Sequence, residues 1–227
     1  MPSVTVIIPT LNEERNIQWV IEQVLATVPA ASVIVADDGS SDRTQEVVVS
    51  FSKERRGIRL LDRSLKTKGL TASVVDAIMH ATTDLFVVID GDGQHPPEKI
   101  AEMISLMTAG TDLVVGVREK VANEWPLPRR LMSAGACFLA QCRLRATGTP
   151  TADPVSGFFG GRTAVVQEVL HRHPRAVVSE GYKVLFDVLK LRRWSVREVP
   201  YVFGVRRGGS SKIGGEHVWA FVKSLVR

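Results

Sequence analysis

Cysteine is scarce in this chain of 227 residues: there are two, Cys137 and Cys142. Five positions apart inside an apolar segment, they have the setting of core residues rather than of a disulfide or a thiolate metal site, which fits a reducing compartment. Aromatic residues make up only 6% of the sequence, too few for the interleaved stacking surface of a nucleic-acid-binding module. No uncharged apolar run of about 18 residues occurs, and the opening MPSVTVIIPT has neither a basic start nor a long apolar centre, so neither a membrane span nor a secretory leader is expected. Gly-x-Gly-x-x-Gly is missing after the first apolar run, which continues into PTLNEE, and that argues against a dinucleotide oxidoreductase.

What is present is ample apolar material, 44% of residues, enough for the core of one large domain. Charge is unevenly spread. Residues 1–118 hold 11 basic and 16 acidic side chains, residues 119–182 hold 8 and 5, and residues 183–227 hold 10 and 3. The front half is therefore −5 and the remainder +10 within a net charge of +5, a basic second half suited to a phosphate-bearing ligand, nucleic acid or an anionic membrane surface, or to a solvated basic face.

The runs SVTVIIP, ASVIVADD, GIRLLDR, DLFVVIDGD and DLVVGVR alternate with the helical periods EERNIQWVIEQVLA, DRTQEVVVSFS, GLTASVVDAIMHA and PPEKIAEMISLMTAG. Strands that are apolar throughout, joined by helices of about 12 residues, predict an α/β fold with a mostly parallel central sheet covered by helices on both faces. Ligands of such sheets bind beyond the carboxyl ends of the strands. Four of the five runs end there in polar groups: Pro9 to Glu13, Asp37 with Asp38, Asp90 with Asp92, and Arg118.

The stretch DGDGQHPPE, residues 90–98, is the most informative of these. Two carboxylates one residue apart repel each other unless a cation or strong donors compensate. Asp90, Asp92 and the amide oxygen of Gln94 are hard oxygen donors of the kind that Mg²⁺ or Mn²⁺ accepts while sharing its shell with a diphosphate, and Gly91 and Gly93 let the backbone turn sharply. A solvated acidic turn ahead of a helix begun by Pro96 and Pro97 fits the same residues.

The wider context resembles family 2 glycosyltransferases, and within them dolichyl-phosphate mannose synthases and related polyprenyl-phosphate hexosyltransferases. The likeness runs through VIIPTLNEERNI, VADDGSSDRT, KGLTASVVDAI, VVIDGDGQHPPE, VVGVR, DPVSGFFGGR, GYKVLFDVL and RRGGSSKIGGEHVWAFVKSL. The resemblance implies a single GT-A type domain over residues 1–227, with a nucleotide-binding half at 1–118 and an acceptor-binding half at 119–227. It implies inverting transfer of mannose from GDP-mannose to dolichyl or another polyprenyl phosphate, with UDP-glucose or a hydroxyl acceptor as the alternative. Carried over by position, Pro9, Leu11, Glu13 and Asp37 meet the nucleotide, Asp90 the ribose or sugar, and Gly91 lies against the nucleotide. Asp92 and Gln94 hold the metal. Arg118, Arg206 and Lys212 meet phosphates, and Arg129 with Ser133, or Arg130, binds the lipid phosphate. The chain departs from the family pattern at Leu11, where Tyr or Phe is common, at Arg43 in place of Gly, and at Gly91 and Gly93 in place of Ala and Leu.

A phosphate acceptor also makes chemical sense here, since a phosphate monoester with a second pKa of about 6 is largely dianionic at neutral pH and needs no strong base. Cations to offset charge repulsion are what such a site must provide. Gly208, Gly209, Ser210, Ser211 and Lys212 suit a phosphate-closing lid in preference to an ordinary flexible loop. His95 reads as a turn residue. Glu180 reads as a helix-start residue, or as a base were the acceptor a hydroxyl. KLRRWSV contains the Arg-Trp of the Gln-x-x-Arg-Trp signature of processive polysaccharide synthases, with Lys190 at the Gln position. Finally, PRRLMSAGACFLAQCRLR, residues 128–145, is apolar in its middle, has Arg129, Arg130, Arg143 and Arg145 at its ends and no acidic residue. This is the composition of an interfacial helix, with EHVWAFVKSLVR, including Trp219 and Phe221, beside it, and it predicts a peripheral protein at the cytoplasmic face of a membrane; a core helix fits the same composition.

Overall fold

A computed structural model describes residues 2–121, 127–178, 181, 183–208 and 223–225. The five apolar runs form β1 (Val4–Thr10), β2 (Ser32–Asp37), β3 (Ile58–Asp62), β4 (Leu85–Val88) and β5 (Leu113–Val121). Between them lie α1 (Ile17–Thr27), α2 (Thr44–Glu54), α3 (Leu70–His80) and, after a 3₁₀ turn at 97–99, α4 (Ile100–Thr108). The second half adds α5 (Leu127–Thr147), β6 (Phe159–Arg162), α6 (Thr163–Arg172), α7 (Val184–Leu189) and β7 (Val196–Phe203). All seven strands join one sheet in the order β3-β2-β1-β4-β6-β5-β7.

Every residue of β1 is buried because the strand lies inside the sheet and both faces are covered. Alternate side chains go to opposite cores. Ile7, Ile34, Phe86 and Val88 pack with Val74, Ala77 and Ile78 of α3 and with Leu185 and Phe186 of α7. Val6, Ile8, Val33 and Val35 face the other way, onto Val20, Ile21 and Val24 of α1 and Ile100 and Met103 of α4. In α1 the buried set Ile17, Val20, Ile21, Val24 and Leu25 follows the spacing of one helix face.

Pairing is parallel except at β6, which runs antiparallel to both β4 and β5. That reversal positions the site. Loops after β1, β2, β4 and β5 leave at the carboxyl edge of the sheet, and the segment before β6 arrives at that same edge because the strand points the other way.

One expectation changes. Cys137 and Cys142 are free thiols but not both core residues: Cys137 is half-buried and Cys142 exposed, since α5 turns this side outward. His95 lies in the bend that follows the acidic pair and is buried at 2% exposure, because Phe158, Tyr201 and Phe203 box it in. On α5, Ala140 and Leu144 are buried while Phe138 and Leu139 are 61% and 48% exposed. No helix among the described residues is long and apolar enough to cross a membrane.

Candidate active site

The loop after β1 turns through Asn12, whose φ of 52° lies in the left-handed region. It brings Glu13 inward, 8% exposed, where Asn16 Nδ2 donates to Oε2 at 2.7 Å and Arg206 Nη1 pairs with Oε1 at 3.3 Å. Leu11 beside it is exposed, and Pro9 is buried in β1. Asp37, at the end of β2, is fully buried and shapes its own loop. Its oxygens accept from Thr10 Oγ1 at 2.9 Å, the amides of Gly39 and Ser40 at 3.2 and 2.8 Å, and Gln45 Nε2 at 2.7 Å. Asp38 is held by Arg63 and by the Gly69 amide at 2.6 Å.

The acidic pair follows β4. Asp92 is 6% exposed; its Oδ2 accepts from Arg206 Nη2 at 2.7 Å and its Oδ1 from the Gln94 amide at 3.0 Å. Gln94 donates its own amide N–H to the Gly204 carbonyl at 2.9 Å, leaving Oε1 as the side-chain atom suited to a cation. Asp90 is about a third exposed, at 31% of its side chain. Burial pushes its carboxyl up to about 6 against the pull of Lys183, Arg206 and Arg118. Burial and the neighbouring Asp90 raise Asp92 as well. Gly91 is buried, its missing side chain taken up by Thr10 and Ile8.

His95 Nδ1 accepts the Asp90 backbone N–H at 3.1 Å, and its ring stacks on Phe158 at 5.3 Å. Desolvation lowers its pKa to about 4, so it is neutral, with its proton on Nε2. It shapes the acidic loop rather than ligating. Gly157 abuts the same carboxylate: a β-carbon there would lie 3.1 and 3.2 Å from the two Asp90 oxygens.

Opposite the carboxylates stand the cations. Arg118 makes a bidentate pair with Asp153, Nε to Oδ2 at 2.6 Å and Nη2 to Oδ1 at 2.9 Å. Lys183 Nζ donates to the Val155 carbonyl at 3.3 Å, and burial followed by the charge of Arg118 lowers it to about 8. Asn16, Asp153, Gly157 and Lys183 were not singled out in the sequence. Lys183 and Asp153 lie within GYKVLFDVL and DPVSGFFGGR, so the motifs were visible but not which side chain mattered.

The structure thus brings Glu13, Asp90, Asp92, Gln94, Arg118 and Arg206 to one end of the sheet. Lys212 lies outside the described residues, as do Glu180 and most of the C-terminal segment, and so do the side chains of Arg129 and Arg130; Ser133 is half-buried on α5. Among the described residues no group of three or more His, Cys, Asp or Glu side chains is gathered as for a metal held by protein alone. One carboxylate and one amide oxygen are instead a partial set, fitting Mg²⁺ or Mn²⁺ that completes its shell with phosphate and water.

The glycosyl transferase family 2 model matches residues 5–170. The chain belongs to that family. Among curated family 2 relatives, a dolichol-phosphate mannosyltransferase from Pyrococcus furiosus is 35% identical over 231 residues, 99% of this chain and 63% of the relative. The chain therefore spans less than two thirds of that protein's length. A dolichol-phosphate mannosyltransferase from Saccharomyces cerevisiae is 29% identical over 237 residues, covering 97% of this chain and 85% of the relative. Among solved structures, glucosyl-3-phosphoglycerate synthase from Mycobacterium tuberculosis, in complex with Mn²⁺, UDP and glucosyl-3-phosphoglycerate, superposes with a TM-score of 0.66 at 22% identity. The match covers 99% of this chain and 77% of that one. It establishes the GT-A type fold of this family 2 chain.

Proposed function

We propose that the chain transfers mannose from GDP-mannose to a polyprenyl phosphate such as dolichyl phosphate, inverting the anomeric centre to give a β-linked product. The observation that carries this reading is the convergence at one sheet edge of acidic groups and Arg118 from the front half with Lys183 and Arg206 from the second. A site facing two phosphate-bearing substrates needs that many cations; a hydroxyl acceptor would need a base instead. The named relatives supply the sugar and the lipid.

Asp92 and Gln94 would hold a divalent cation, which would supply charge neutralisation of the departing diphosphate. Glu13 orients Arg206, which moves from the carboxylates to the donor phosphates as they arrive. Lys183 and the outer edge of Arg118 hold the acceptor phosphate for attack on the anomeric carbon. The new bond forms as the bond to the diphosphate breaks, and no side chain has to remove a proton. The decisive experiment offers GDP-mannose, UDP-glucose and other nucleotide sugars with a polyprenyl phosphate and identifies the lipid product. Turnover of GDP-mannose alone supports the reading; transfer only to hydroxyl acceptors overturns it.

Lys183 gives this reading a pH signature. Its folded pKa is depressed, so its charge is present below about 8 and lost as pH rises through that value. The value of kcat/KM should fall along a basic limb near there, and Lys183→Arg, whose guanidinium stays charged, should remove the limb. An unchanged limb in that variant would assign it to another group.

The acceptor implies a membrane surface, and the exposed Phe138 and Leu139 on α5 are placed to enter its headgroup region with the basic second half beside them. Flotation with anionic liposomes should show binding that weakens as salt rises. It should be lost in Phe138→Ser/Leu139→Ser at unchanged unfolding temperature; binding equal to the wild type would remove α5 from the interface.

A further inference from the structure

The segment after β7, residues 204–208, crosses the acidic loop and sends adjacent side chains to opposite sides of it. Arg206 reaches inward to Asp92 at 2.7 Å and Glu13 at 3.3 Å. Arg207 lies outward across the ring of Trp19 on α1, its guanidinium carbon 4.3 Å from the ring centroid. Between them passes the backbone of Asp92 and Gly93, and the Arg207 amide donates to the Asp92 carbonyl at 3.4 Å. Gly93 has a φ of 75°, and a β-carbon there would lie 3.1 Å from both Arg207 Cδ and Trp19 Cζ3. The bare glycine is what lets indole and guanidinium close over the turn. The strap is tied at its two ends as well: Gly204 exchanges hydrogen bonds with Gln94 at 2.8 and 2.9 Å, and Asn16 Nδ2 donates to the Gly208 carbonyl at 3.2 Å.

We propose that Trp19 and Arg207 are positioning residues: their stack across Gly93 holds the strap astride the acidic turn and so aims Arg206 at the place where the donor diphosphate binds. This consequence rests on the proposed glycosyl transfer. A cation at Asp92 would take over one of the two carboxylates that Arg206 pairs with, leaving Glu13 at 3.3 Å, so the ion pairs alone would hold the strap less firmly. The stack lies on the far side of the backbone and survives the exchange. Neither Trp19 nor Arg207 touches substrate in this arrangement; both act through Arg206.

The test is a double-mutant cycle on binding of GDP, and separately UDP, in the presence of Mn²⁺, measured by calorimetry on the whole chain. Trp19→Leu and Arg207→Ala should each weaken nucleotide binding by about threefold to tenfold, the range of one partly exposed cation–π contact, and the double variant should be no weaker than either. Trp19→Phe keeps an aromatic face and should bind within about twofold of wild type. Unfolding midpoints should stay unchanged, and Arg207→Ala should alter the part of the tryptophan emission that Trp19→Phe removes. Additive losses in the double variant, wild-type binding in both singles, or losses that track a lowered midpoint would overturn the pairing. A wild-type chain that binds neither nucleotide would instead overturn the glycosyl-transfer reading, and the emission change would still report whether the stack exists.

Discussion

Asp92→Ala should lower turnover on the order of a hundredfold or more, the scale of losing a preorganised charge at a transition state, while leaving the fold intact. Its effect on stability is small for a reason visible in the carboxyl's raised pKa. Burial and Asp90 both disfavour the charged form, so at neutral pH the ionised group works against folding and its removal relieves that cost. Against this stands the lost partner of Arg206, which keeps Glu13. Initial rates should depend on added Mg²⁺ or Mn²⁺ in the wild type and be insensitive to it in the variant. Full wild-type activity in excess chelator would sink the metal assignment. A matched loss of thermal stability would show that Asp92 serves the loop and not the reaction.

Arg118→Ala carries a different and larger structural effect. Arg118 and Asp153 have side chains only 18% and 8% exposed and share two hydrogen bonds. Deleting one partner leaves the other charge buried, at a cost of about 3 to 5 kcal/mol. Denaturant unfolding should record that loss, and activity should vanish with it. The informative variant replaces both residues, Arg118→Met/Asp153→Leu, which removes the stranded charge. Stability should return most of the way while turnover stays low if Arg118 faces the acceptor phosphate as proposed. Recovery of activity along with stability would reduce Arg118 to a structural ion pair.

The front half of the fold was legible because its code is local. Each of the five apolar runs became a strand and each helical period a helix, since β-branched residues in strands covered on both faces and the i, i+3, i+4 spacing of Ile17, Val20 and Ile21 act over a few residues. β6 was not legible. FGGR, with two glycines, carries no strand pattern of its own, and it is a strand because β4 and β5 close on it: a β-carbon at Gly160 would lie 2.7 Å from the Phe86 carbonyl oxygen, and one at Gly161 2.8 Å from Leu113 Cδ2. Likewise β7 contains Pro200, tolerable because the strand is at the sheet edge. In the site, the acidic strand ends announced themselves by charge and spacing. Lys183 and Asp153 did not, since their role comes from a reversed strand and a helix start that meet only in the folded chain. Lys190, which occupies one position of a synthase-like signature, proves to be a buried partner of Asp187 at 2.7 Å, also bonded to Ser224.

The antiparallel β6 also ties the fate of the two halves together. β4 and β5 follow each other in sequence yet never pair; β6, some seventy residues after β4, is the wedge between them. A polypeptide stopped after β5 would leave the edge of β4 without its partner and Phe86 without Phe159, whose rings meet edge to face at 6.1 Å. The strands before and after β5 are therefore one cooperative unit rather than two modules. By linkage, a nucleotide bound wholly to the front half must also slow amide exchange in β6 and β7, strands that it never touches.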